Sequence, residues 1–171
     1  TSIYTLAKEL SKLGKKVVVT TTTHMHMPED FIDFKGNVNE IIERFKSENL
    51  ITVGIKDRDG KFVGGGEKMA EKLINLCDFL LIEADGARMH PLKAPANYEP
   101  VILKNTTMVV GVAGIDSLFK SINKICHRPE QVCKVLSKNY NHKINTKDIA
   151  NILGSEEGQR KNVKDCFNAK Y

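Results

Sequence analysis

The chain has 171 residues, of which 41% are hydrophobic and 27% charged, a composition typical of one soluble α/β domain rather than two large ones. Its net charge of +5 is spread over many lysines, without the dense basic block or interleaved aromatic residues of a nucleic-acid site, so we expect no nucleic-acid partner. No apolar run approaches membrane-spanning length and the four cysteines form no CxxC pair, so we predict a cytoplasmic protein with reduced thiols and no membrane partner.

The first part of the chain alternates helices and strands. TSIYTLAKEL, from Thr1, carries apolar residues at helical spacing, and the β-branched run KKVVVTTTT that follows predicts a buried strand. VNEIIERFKSE predicts an amphipathic helix. LITVGIKDRDGKFVGGG, from Leu50, predicts a β-hairpin whose turn lies at Asp59 and Gly60.

The alternation continues with the helix EKMAEKLINLC, the apolar strand DFLLIEAD and a third apolar strand, TTMVVGVAG from Thr106, before the chain becomes helical near Asn123. Buried strands separated by helices imply a mostly parallel sheet flanked by helices. We therefore predict an α/β core over residues 1–122 with a small β-hairpin insertion. A helical extension over residues 123–171 is expected to pack on the same domain.

In open parallel sheets, ligands bind beyond the carboxyl ends of the strands. The first such end is TTTTHM, where the hydroxyl side chains that run to Thr23 are followed by His24. An imidazole at this place can contact a phosphate or carry a proton. The alternative is that threonines simply suit a strand and its turn, and that His24 is an ordinary loop residue.

The second strand end, LLIEADGARMHPLKAP, brings two carboxylates to the point where a buried strand surfaces. Asp85 is placed to hold Mg²⁺ directly or through water, as the Walker-B carboxylate does in nucleotide-binding sheets. Glu83 can pair with a cation, and Gly86 allows the backbone to approach a phosphate closely. The alternative is a pair of exposed turn carboxylates.

Positive charge follows in the same loop, at Arg88, His90 and Lys93. These groups suit an anionic ligand, although solvated loop charges are an equally ordinary explanation. Two glycine-rich stretches, GGGEK and VVGVAGIDSL, are weaker signals, because tight packing or a hairpin exit explains them as well.

A helix precedes a strand that ends in threonines, and Asp85 follows on a later strand. This order matches the part of a P-loop domain that comes after its first strand and glycine loop. We expect those two features to precede Thr1, which would then be the hydroxyl residue that binds Mg²⁺. Ser2 is expected to lie beside the phosphates. The predicted fold is therefore P-loop NTPase-like.

The ordered set VVVTTTTHM, LLIEADGARMHPLKAPANYEPVI, VVGVAGIDSL and HRPEQV resembles the YqeC-type family, accessory proteins of selenium-dependent molybdenum hydroxylases. The resemblance implies a P-loop-like fold and a role in maturing a selenium-containing molybdenum cofactor. It carries family positions onto Thr1, Thr23, His24, Glu83, Asp85, Gly86, Lys93, His127, Arg128 and Glu130. For the last three, a helix start is the better explanation on physical grounds.

These observations together predict a Mg²⁺-dependent protein that binds ATP or GTP, either a P-loop NTPase or a nucleotide-dependent transferase, with the hydroxylase or its cofactor machinery as partner. The expected catalytic residues are His24, Glu83 and Asp85; the expected cofactor-binding residues are Thr1, Ser2, Thr23, Gly86 and Lys93; the expected metal ligands are Thr1 and Asp85. The alternative is a non-catalytic carrier or chaperone for the cofactor or a selenium species.

Overall fold

Residues 2–163 are described by a computed structural model. They fall into two compact units that divide between Ala84 and Asp85, and each unit is described by itself. Within residues 2–163, every helix is too short or too polar to cross a bilayer.

The first unit is built around one six-stranded sheet. Its elements are α1 (Ser2–Lys12), β1 (Val17–Thr21), β2 (His24–His26), β3 (Phe31–Asp33), α2 (Asn39–Arg44), β4 (Leu50–Lys56), β5 (Lys61–Val63), α3 (Gly66–Ile74) and β6 (Phe79–Glu83). The strand order is β2-β5-β4-β1-β6, and β3 pairs with β4 away from this path. The predicted strands β1, β4, β5 and β6 are thus confirmed.

The sheet is mixed, which refines the expectation of a mostly parallel one. Strand β1 runs parallel to both β4 and β6, and β3 runs parallel to β4. Strand β5 is antiparallel to β4 and to β2, because the predicted hairpin joins this edge of the sheet. Its turn residues Asp59 and Gly60 have φ values of 56° and 67°, as a tight hairpin turn requires. The α/β class is confirmed.

Strand β1 is buried on both faces, as its unbroken run of β-branched residues predicts. Val18 packs into one apolar cluster with Ile41 and Leu73, which come from the helices α2 and α3. Val17 and Val19 point the other way and pack with Ala7 of α1. Because successive side chains alternate between these two apolar clusters, β1 is buried along its whole length, up to its polar carboxyl end.

The second unit is mainly helical and irregular. Its elements are β7 (Leu92–Lys93), α4 (Ile122–Ile125), β8 (Cys126–His127), α5 (Pro129–Leu136) and α6 (Thr146–Gly154). Strands β7 and β8 pair in parallel over two residues each. Helix α6 is capped by Asn145, whose side chain accepts from the Asp148 N–H in a reciprocal capping box.

The prediction of a third buried strand over residues 106–114 is wrong. No strand is assigned there within the part of the chain that the structure describes, and Met108, Val110 and Val112 are each more than half exposed. The side-chain amide of Gln159 accepts from the Val112 N–H at 3.0 Å and donates to the Val112 carbonyl at 3.1 Å. A side chain thus occupies the main-chain groups that a neighbouring strand would use.

Candidate functional site

The carboxyl end of β1 meets the carboxyl end of β6 at a small polar cluster of three residues, Thr21, Thr23 and Glu83, which we call the strand-end cluster. The parallel register places Thr21 opposite Glu83. The Glu83 carboxylate oxygen Oε2 accepts from the Thr21 hydroxyl at 3.0 Å and from the Thr23 hydroxyl at 2.5 Å. Two neutral donors therefore fix the position of this carboxylate without cancelling its charge.

The backbone around the strand-end cluster is held by a close approach at Gly64. A Cβ added to Gly64 would lie 1.7 Å from the Thr21 carbonyl oxygen, so only glycine fits there. The Thr21 hydroxyl also donates to the Glu83 main-chain carbonyl at 2.9 Å. The first glycine of GGGEK thus serves to pack the hairpin exit against the end of β1.

A second group of polar side chains forms in the second unit around Lys93, the last residue of β7. Lys93 is only 3% exposed. Its ammonium group contacts the Asp85 carboxylate, the Gly86 carbonyl at 2.8 Å and the Glu99 carboxylate at 2.8 Å. These three partners match the three donors of an ammonium group, which is how a buried lysine charge is tolerated.

Arg128 extends this network on the side of Glu99. Its Nη1 donates to Glu99 Oε2 at 2.6 Å, and its Nη2 donates to the Tyr98 hydroxyl at 2.8 Å. The guanidinium carbon also lies 5.3 Å from the centre of the Tyr98 ring. We call Asp85, Lys93, Glu99 and Arg128 the charge cluster; it holds two carboxylates and two cations.

The two carboxylates of the charge cluster respond differently to their surroundings. Burial raises the pKa of Asp85 to about 6, and the opposing effect of the Lys93 ammonium group does not offset it. Burial also acts to raise the pKa of Glu99, but hydrogen bonds from Lys93 and the Ala96 N–H outweigh it and leave that pKa below its usual value. Asp85 is therefore the carboxyl group of this cluster whose pKa lies nearer to neutral pH.

Two histidines stack beside the charge cluster. The ring centroids of His90 and His127 are 5.9 Å apart, and their planes are inclined by 22°. Burial lowers the pKa of His127, and the positive groups Lys93, Arg128, Arg88 and His90 lower it further. The ring of His127 thus sits in a field of positive charge.

Of the three predicted catalytic residues, His24 belongs to neither cluster. His24 lies on β2, where its side chain is 62% exposed and its Nε2 is 3.4 Å from Asp57 Oδ2. The other two lie at different networks: Glu83 belongs to the strand-end cluster and Asp85 to the charge cluster.

The predicted cofactor-binding residues are also distributed. Thr23 binds Glu83, Gly86 accepts from Lys93 through its carbonyl, and Ser2 begins α1. Thr1, expected both to bind the cofactor and to ligate the metal, lies outside the described residues. Within residues 2–163, no set of three or more His, Cys, Asp or Glu side chains gathers closely enough to hold a metal ion.

Sequence reasoning missed Glu99 as a member of the site. The stretch from Leu92 to Pro100 is mostly buried and carries Lys93 and Glu99 six residues apart. Opposite charges inside an apolar segment must find partners, since an unpaired buried charge costs several kcal/mol. That rule, applied to both residues together, is the signal that could have identified the pair.

The comparisons with known proteins decide the family. A family described as "YqeC protein" matches residues 1–130. The chain belongs to the YqeC family. A YqeC relative from Escherichia coli (strain K12), named "Uncharacterized protein YqeC", is 29% identical over 175 residues, which cover 94% of this chain and 66% of the relative. The chain thus spans about two thirds of the length of this YqeC relative, and no solved structure matches it.

Proposed function

We propose that the chain is part of a nucleotide-binding protein with P-loop-like architecture, which binds ATP or GTP with Mg²⁺ and assists the maturation of selenium-dependent molybdenum hydroxylases. Membership of the YqeC family supports the accessory role through the resemblance set out above. The observation that carries the nucleotide part is the strand-end cluster, a fixed carboxylate where two parallel strands end.

The argument from the sheet is geometric. Strands β1, β4 and β6 run in the same direction, so their carboxyl ends share one edge. At such an edge the loops diverge and leave room for a ligand. Glu83 ends β6 and Thr23 follows the end of β1, and both carry groups that can orient a water or an acceptor hydroxyl. Gly64 keeps the backbone at this edge free of a side chain.

The residues present fit Mg²⁺ in one way. Mg²⁺ usually keeps several waters and takes one or two carboxylates together with substrate phosphates. Asp85 already contacts the Lys93 ammonium group, so Asp85 would hold the ion through water. The bound ion would neutralise phosphate charge. In this proposal Lys93 positions Asp85 and Gly86 rather than contacting a phosphate itself.

Either ATP or GTP hydrolysis or nucleotide-dependent transfer is compatible with these groups. The non-catalytic carrier is the second candidate, and the observation that favours it is the positive field around His127, which suits an anionic cofactor. The two candidates differ in their dependence on Mg²⁺, because a carrier of an anion gains little from Glu83.

The test is calorimetric titration of the full-length protein with ATP and with GTP, with and without Mg²⁺. We expect Mg²⁺-dependent binding that weakens at least about tenfold in Glu83→Gln, since this variant loses the negative charge that would accept from the water shell of the bound ion. Glu9→Gln, the same change at an exposed position of α1, is the matched control and should bind normally. Equal affinities in Glu83→Gln and Glu9→Gln, both shown to be folded, would contradict the proposal.

A further inference from the structure

The loop before β7 and the start of α5 both carry positive side chains to the stacked histidines. Arg88 and His90 come from the loop, and His127 and Arg128 immediately precede Pro129, the first residue of α5. His90 stacks on His127, and Arg88 and Arg128 both lie close enough to shift the charge equilibrium of the His127 ring. The stacked rings of His90 and His127 therefore join two separate segments, each of which also carries an arginine.

The backbone on both sides of this group is held in an unfavourable conformation. Arg88, Met89 and Arg128 have φ values of 48°, 64° and 52°, in the left-handed region that residues other than glycine avoid. Each such residue costs about 1 kcal/mol or more relative to the right-handed region. Strain of this kind concentrates at functional sites, where it aims side chains.

Arg88 and His90 supply the accessible donors of this group, because the nearby acidic groups pair with Lys93 and Arg128. Asp85 and Glu99 are engaged by Lys93, and Glu99 is engaged by Arg128 as well. Glu130, in the first turn of α5, is exposed to solvent. Arg88 and His90 are exposed, so an incoming anion reaches their donors without displacing a buried ion pair.

From this convergence we infer that Arg88, His90, His127 and Arg128 form an oxyanion site of the second unit, which takes a phosphate-type dianion. The fixed cations supply charge, the two imidazoles supply N–H donors in the protonated or neutral form, and the amino end of α5 adds its partial positive charge. None of these residues belongs to the strand-end cluster, which carries the nucleotide proposal, and Arg128 is the one residue that this site shares with the charge cluster.

Proton uptake is the signature of this site. Without a ligand, burial and the cations Lys93, Arg128 and Arg88 keep the pKa of His127 below its usual 6.5, so the ring is mainly neutral at pH 7. A bound dianion favours the imidazolium form and raises that pKa. Binding therefore tightens as the pH falls from about 8 to 6.

Sulfate is the first probe, because it stays a dianion over this range and leaves the protein groups as the only ones that titrate. NMR titration of the histidine rings in the full-length protein should show that sulfate, at constant ionic strength set with chloride, raises the His127 midpoint by about one pH unit. The exposed His26 is the internal control and should not respond. An unchanged His127 midpoint would overturn the inference.

Single substitutions distinguish a specific sulfate site from non-specific electrostatic attraction by the net charge of the protein. Arg88→Gln should weaken sulfate binding about tenfold through the loss of one charge-assisted contact. Arg58→Gln removes the same charge from an exposed position after β4 and should have no effect. Equal weakening by both substitutions would mean that only net charge matters, and would also overturn the inference.

The source of the dianion is distinguished by competition. Inorganic phosphate that displaces sulfate identifies a free oxyanion as a ligand, whereas displacement by ATP at much lower concentration identifies the phosphoryl group of a larger molecule. Glu83→Gln should leave the sulfate response intact, so failure of the nucleotide proposal and failure of this one give different results. Loss of the sulfate response in Glu83→Gln would contradict a separate site.

Discussion

Glu83 and Asp85 are separated by one residue, yet the protein holds their carboxylates by opposite means. Glu83 accepts from two threonine hydroxyl groups, which are neutral donors. Asp85 contacts a lysine ammonium group that is itself buried. A carboxylate held by hydroxyl groups still presents a net negative charge, whereas a carboxylate paired with a lysine is neutralised. Two acidic residues at one strand end therefore need not share one role.

The difference also indicates which cluster suits a chemical role and which suits a structural one. The strand-end cluster keeps a charge that a cation or a proton can use, which is what a site for metal-assisted phosphate chemistry requires. The charge cluster pairs its carboxylates with its own cations, as a structural network does, which leaves Asp85 only a water-mediated part in metal binding. Four substitutions test this contrast, taken here from the largest expected effect to the smallest.

Removing the cation of the charge cluster should have the largest effect. Lys93→Met leaves Asp85 and Glu99 buried with one cation fewer, and we expect a loss of about 3–5 kcal/mol in the free energy of unfolding, measured by urea denaturation. The matched control is Lys12→Met, which breaks an exposed ion pair with Glu9 and should cost less than about 1 kcal/mol. Similar losses in the two variants would show that the network is not structural.

The next largest effect is expected when a methyl group is added at Gly64, which packs against the strand-end cluster. Gly64→Ala drives a methyl group into the Thr21 carbonyl oxygen, so we expect a loss of about 2–3 kcal/mol in urea denaturation and displaced NMR signals at Thr21 and Thr23. Gly154→Ala is the control, because an added Cβ there meets no atom within 4 Å and the residue ends a helix. A Gly64→Ala protein as stable as the Gly154→Ala protein would contradict the close approach.

The acidity of Asp85 predicts a pH profile. Its pKa is raised by burial to about 6 in the folded state, above the unfolded value of 3.8, so the folded protein binds the extra proton. The stability that this proton provides is fully present below pH 3.8 and is lost as the pH rises through 6, a fall of about 2 kcal/mol between pH 4 and pH 7. Unfolding free energies of the wild type minus those of Asp85→Asn, measured from pH 4 to 7, should decrease; parallel profiles would refute the raised pKa.

The smallest effect is expected for one hydroxyl group of the strand-end cluster. Thr23→Val keeps the shape of the side chain but removes the donor that lies 2.5 Å from Glu83, and should cost about 1–2 kcal/mol of unfolding free energy. Thr107→Val, the same change at an exposed position, should stay within about 0.5 kcal/mol of the wild type. A loss at Thr107 that matches the loss at Thr23 would mean that the hydroxyl bond to Glu83 carries no energy.

Local patterns were sufficient for most of the first unit. The β-branched run of β1 and the turn residues Asp59 and Gly60 specify their structures through short-range preferences, and the structure confirms both. The run over residues 106–114 is equally apolar, but it forms no strand among the described residues. Apolar composition favours burial, whereas a strand also needs a partner for its main-chain groups.

The site was harder to predict, because its contacts join residues that are distant along the chain. The Thr23–Glu83 bond spans 60 residues, and the Arg128–Glu99 bond spans 29. Periodicity marks which face of an element is buried but does not reveal which polar group will meet which. The sequence predicts that Lys93 binds an anionic ligand, or alternatively is a solvated loop charge, whereas the pairing of buried charges makes it the centre of a network.

The amide of Gln159 has a consequence for how the protein behaves in concentrated solution. An exposed apolar strand edge is a template on which other chains can add, and the stretch around Val110 carries no charged residue to discourage them. By occupying both main-chain groups of Val112, Gln159 blocks the middle of that template. We expect this single neutral side chain to limit association between molecules along that stretch.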